Sequence, residues 1–91
     1  MIKFSIEDGS HCECCGVFES FSDALKELEA RSKINWDVVP NFPPCGLSTC
    51  DRDYVIIERE TDDELSKVYN VTPIFSISAK GIDWKNSSDI T

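Results

Sequence analysis

Asp53-Tyr54-Val55-Ile56-Ile57-Glu58-Arg59-Glu60 is the stretch that decides the fold. Read with a period of two, Val55 and Ile57 fall on one face and Tyr54 and Ile56 on the other. A strand that is apolar on both faces belongs in the middle of a sheet, with neighbours on either side. Its neighbours must come from the rest of a chain of 91 residues.

On the N-terminal side, residues 3–7 alternate, with Ile2, Phe4 and Ile6 on one face, which predicts a half-buried strand. Asp8-Gly9-Ser10 then reads as a turn, and residues 16–19 as a short strand returning beside the first. A helix follows over residues 22–32. Ser20 or Ser22 can cap it, and Asp23 lies in the first turn, where a negative charge suits the dipole. Phe21, Leu25 and Leu28, with Ala24, supply one apolar stripe, and Glu27 and Arg31 stand four apart on the outer side. Residues 35–44 carry Pro40, Pro43 and Pro44, which excludes a sheet interior and predicts a rigid, irregular loop.

On the C-terminal side, Thr61-Asp62-Asp63-Glu64 is a polar turn. Residues 65–70 are expected to be its hairpin partner and residues 71–79 a further strand, followed by a turn and Ile82-Asp83-Trp84. The last seven residues are expected to fray. The element order β-β-α-β-β-β predicts an α+β fold: a small antiparallel sheet of four to five strands with one helix packed on one face. Residues 1–91 read as a single domain.

Five cysteines in two clusters stand apart from this pattern. The first is His11-Cys12-Glu13-Cys14-Cys15-Gly16, in which Cys12 and Cys15 have C-x-x-C spacing. The second is Pro44-Cys45-Gly46-Leu47-Ser48-Thr49-Cys50. Cys12, Cys15, Cys45 and Cys50 together offer four sulfurs to a tetrahedral zinc, with Cys14 or His11 as substitute ligands. Two other states fit the same residues: small apolar thiols packed under the proline loop, and a disulfide or redox-sensing thiol. The four-sulfur site and the packed thiols require the two clusters to meet in space.

The composition narrows the partner. Seventeen acids against nine bases give a formal charge of −8 and a pI near 4.4. Nucleic-acid backbones and anionic membrane surfaces repel such a chain, so a partner chosen by charge is a basic protein. The start of the chain lacks the apolar core of a secretory signal, and no run approaches the ~18 apolar residues of a membrane span. These features predict a cytoplasmic location.

No phosphate-binding loop, nucleophile elbow or metalloprotease helix is present, and the one histidine, His11, adjoins Cys12 in sequence. The chain is therefore expected not to be an enzyme. Glu58, Glu60, Asp62, Asp63 and Glu64 crowd a strand end and its turn, while Trp36 and Phe42 offer aromatic anchors. Together they suggest a surface that blocks a basic partner, in the manner of immunity proteins and phage-encoded inhibitors, with the cysteine clusters as a structural clasp. A zinc-binding regulatory or adaptor module is the alternative, and a thiol redox sensor a third.

Overall fold

The computed structural model describes residues 2–10, 13–43, 46, 50–60 and 67–85. Five strands and one helix follow the order β1 (Ile2–Asp8), β2 (Glu13–Phe18), α1 (Phe21–Arg31), β3 (Arg52–Glu60), β4 (Val68–Ser78) and β5 (Gly81–Trp84). The strands form one antiparallel sheet in the order β2-β1-β3-β4-β5. This is the expected α+β architecture, and β3 is its central strand.

Two elements differ from the sequence expectation. Residues 65–70 and 71–79 were expected to form two strands. The structure instead runs one strand, β4, from Val68 to Ser78, and the fifth strand is Gly81–Trp84. Two register shifts against β3 let β4 carry extra residues without turning back, so period-two reading breaks down there while pairing continues. β2 also begins earlier than expected, at Glu13, and so takes Cys14 and Cys15 into a strand. A register shift lies opposite Ile6 and Glu7, where Cys15 is the extra residue between Cys14 and Gly16. Gly16 there adopts φ 152°, a conformation that side-chain-bearing residues rarely adopt.

The helix is built as its sequence dictates. Ser20 is the N-cap and accepts a 3.0 Å hydrogen bond from the Asp23 N–H. Arg31 donates to Glu27 at 2.7 Å across one turn. Ala24 and Leu28 are buried against the sheet, and Phe21 meets Phe4 edge to face. The core beneath the helix comprises Ile6, Ala24, Leu28, Tyr54, Ile56, Ile74, Phe75 and Ile77. Tyr54 packs edge-on against Phe75, which in turn contacts Trp84. The molecule is only 17 Å thick along its shortest axis, the depth of one sheet and one helix layer. The second face of the sheet carries no layer of its own among the described residues.

Candidate functional site

Parity along the strands explains the most unusual part of the structure. Asp8 is in phase with Phe4 and Ile6, and Arg52 with Tyr54 and Ile56, so both charged residues point to the helix side. There they form a buried ion pair at 3.1 Å, with Asp8 inaccessible and the Arg52 side chain 8% exposed. The second Asp8 oxygen accepts from the Ser10 and Asp53 backbone N–H groups, each at 3.0 Å. Arg52 also donates to the carbonyls of Asn41 and Phe42, at 3.2 and 2.9 Å.

Asn41 extends this network to the helix. Its amide nitrogen donates to the carbonyls of Arg31 and Ile34, both at 2.8 Å, closing backbone acceptors at the helix end. Its amide oxygen accepts from the Tyr54 hydroxyl at 2.9 Å. Burial pushes the Tyr54 hydroxyl pKa upward, and the guanidinium groups of Arg31 and Arg52 pull it partly back. This chain of polar contacts fixes the proline loop to the helix and to one end of the sheet. Sequence reading missed it, although the signal was present: a charged residue on the buried parity of a strand requires a partner.

The same network brings the flanks of the two cysteine clusters together. The Gly9 N–H donates to the Asp53 carbonyl at 2.8 Å, and the Ser10 hydroxyl to Asp51 at 3.2 Å. Ser10 closely precedes the first cluster and Asp51 directly follows the second. Cys50 is disulfide-bonded, whereas Cys14 and Cys15 are free thiols. The partner sulfur of Cys50 lies outside the described residues, as do His11, Cys12 and Cys45. Pairing places Cys14 opposite Glu7 on the uncovered sheet face, while Cys15 packs against the core on the helix side. Among the described residues, no group of three His, Cys, Asp or Glu side chains could hold a metal ion. A disulfide sulfur is not the thiolate that zinc requires, so a four-sulfur site would first require reduction at Cys50.

The acidic and aromatic candidates occupy opposite ends of β3. Glu58 pairs with Phe4 and Asn70, and Glu60 with Ile2, at the end nearer the helix N-terminus. Asp62, Asp63 and Glu64 lie outside the described residues. Phe42 is half-exposed beside Arg52, eight residues back along the strand, or about 26 Å away. Trp36 is partly buried against the core. With Lys33, Ile77 and Ile82 it lines an open cleft of about 350 Å³ between the helix end and the β4–β5 turn. The aromatics therefore do not share a patch with Glu58 and Glu60. Ile2 pairs with Glu60 and Phe4 with Glu58, and Phe21 meets Phe4 edge to face.

No protein-family model, curated protein or solved structure matches this chain. Among the described residues, no helix is long and apolar enough to cross a membrane.

Proposed function

We propose that this chain is a non-catalytic, acidic partner-binding protein of the inhibitor or immunity type, engaging a basic protein by charge complementarity. One observation carries the reading. Five of the nine basic side chains are engaged within the molecule: Lys3 with Glu19, Arg31 with Glu27, Arg52 with Asp8, Arg59 with Glu7, and Lys85 with Asp83. The positive charge is thus held locally, and among the described residues Asp23, Glu29 and Asp37 are exposed carboxylates outside these pairs. A field of this kind steers a basic partner and speeds its association, increasingly so as salt falls.

The contact surface is the β3 end that carries Glu58 and Glu60, together with the acidic sequence 61–64 that follows it in the chain. Ile2, 42% exposed, and Phe21, 36% exposed, supply its apolar component. The buried Asp8–Arg52 pair and the disulfide-bonded Cys50 lie toward the opposite end of β3.

The test is a comparative pull-down with tagged wild-type protein and the variant E58Q/D62N/D63N/E64Q, which halves the formal charge from −8 to −4. The wild type retains a basic protein in low salt and releases it as salt rises, while the variant retains little. Retention of the same protein by both, or a partner that is not basic, overturns the reading.

A further inference from the structure

The uncovered sheet face is composed differently from the rest of the surface. Strand pairing lines up Val17, Ser5, Ile57 and Val71 in one row across four strands. The next row holds Cys14, Glu7, Val55 and Pro73. Val17 and Val71 are 59% and 51% exposed, and Val68, opposite Arg59, is 48% exposed. β-Branched residues are concentrated where solvent would favour Thr, Lys or Glu.

Charge on this face is nearly balanced. Lys3 pairs with Glu19, Arg59 with Glu7 at 2.6 Å, and Lys85 with Asp83 at 3.2 Å, leaving Asp53 beside them. Among the described residues, three bases against four acids give a net −1 on this face. The described charges on this face therefore offer little repulsion to a second copy.

From these two observations we infer that the open face packs against the open face of a second copy of this chain, forming a two-fold dimer. Five strands about 4.8 Å apart and about 22 Å long present roughly 500 Å² per copy. Two such faces bury about 1,000 Å² in total, the lower bound for a specific interface and the size of a weak, reversible one. The product is an aligned sandwich of two sheets with a helix layer on each outside. Val17, Ile57 and Val71 form its apolar centre, and the Lys3–Glu19 and Lys85–Asp83 pairs lie toward its rim. The acidic ends carrying Glu58 and Glu60 remain outside the contact, so this interface is independent of the proposed basic partner.

Sedimentation equilibrium over a range of concentrations tests the inference. The wild type shows a reversible monomer–dimer equilibrium that tightens with added salt, because screening weakens repulsion between like-charged copies. The variant V17K/V71K, altered only at exposed positions, keeps the wild-type circular dichroism spectrum and weakens dimerisation about a hundredfold or more. V39K, at a loop position 79% exposed, leaves the equilibrium unchanged. A wild type that stays at the 10.3 kDa monomer mass at all concentrations overturns the inference. So does a dimer that survives V17K/V71K, or one that E58Q/E60Q dissolves.

Discussion

The Asp8 carboxylate and the Arg52 guanidinium meet at 3.1 Å in a site from which water is excluded, joining the end of β1 to the start of β3. The pair is embedded in further hydrogen bonds, so its desolvation is offset by partners on both sides. Removing Arg52 leaves the Asp8 charge buried without its guanidinium, held by the Ser10 and Asp53 N–H groups. Arg52→Met is expected to lower the unfolding free energy by about 3–5 kcal/mol in urea titration. A loss below about 1 kcal/mol would mean that Asp8 finds solvent or another donor.

Asn41 acts at a distance as a helix C-terminal cap. The residue is 1% exposed, and its side chain donates to the Ile34 carbonyl and gives the Arg31 carbonyl a second donor beside the Ile34 N–H. Asn41→Leu keeps approximate volume but removes the side-chain donor to both carbonyls and the acceptor of the Tyr54 hydroxyl, at a cost of about 1–3 kcal/mol. Tyr54→Phe removes only the hydroxyl and is expected to cost less. The order of the two melting temperatures checks the assignment, and a reversed order would place the weight on Tyr54 instead.

How much of this was legible in the sequence depended on local periodicity. Phe4 and Ile6, the Phe21–Leu28 stripe and the Tyr54–Ile57 run each declare their elements without outside help, and they yield the fold class. β4 did not, because its register shifts break the period and the apolar run 71–79 resembles a strand complete in itself. The spacing of Cys12, Cys14 and Cys15 points to a metal-binding cluster, yet Cys14 and Cys15 lie in a strand with side chains on opposite faces. That arrangement follows from pairing with β1, which no local pattern in residues 12–16 reveals. Trp36 and Phe42 are close to Glu58 in neither sequence nor space, and only the path of β3 between them shows it.

Asp53 gives a pH dependence of defined sign. Burial raises its carboxyl pKa, with Asp51 and Asp8 adding to the rise and Lys85 opposing it, and one of its oxygens is buried without a hydrogen bond. A carboxyl that holds its proton more tightly in the folded state destabilises the fold once ionised. The penalty is complete above the folded pKa and vanishes below the unfolded value of about 3.9. Asp53→Asn is therefore expected to melt slightly above wild type at pH 7, with the gap closing as the pH falls toward 3. A gap that widens in acid would show that Lys85 dominates.

Thiol accessibility separates the three described cysteines. Cys14 is exposed, Cys15 is partly buried, and Cys50 is oxidised. Under native, non-reducing conditions a maleimide is expected to label Cys14 first and Cys15 more slowly, and to leave Cys50 unmodified, as read by peptide mass spectrometry. Reduction is expected to lower stability by about 2–4 kcal/mol. Rapid labelling of Cys50 without reductant would remove the disulfide from the account of what holds the loop.

Gly16 and Gly81 test the cost of the bulge in β2. Both have positive φ, 152° and 115°, so an alanine at either position is strained. They differ in surroundings. A Cβ at Gly81 meets nothing within 4 Å, whereas one at Gly16 comes within 3.2 Å of the Phe18 ring. Phe18 packs against the core and cannot retreat without disturbing it. Gly81→Ala should cost about 1–2 kcal/mol from backbone strain alone, and Gly16→Ala measurably more. Paired denaturant titrations decide the point, and equal losses would show that the Phe18 ring yields and that strain is the whole cost at both positions.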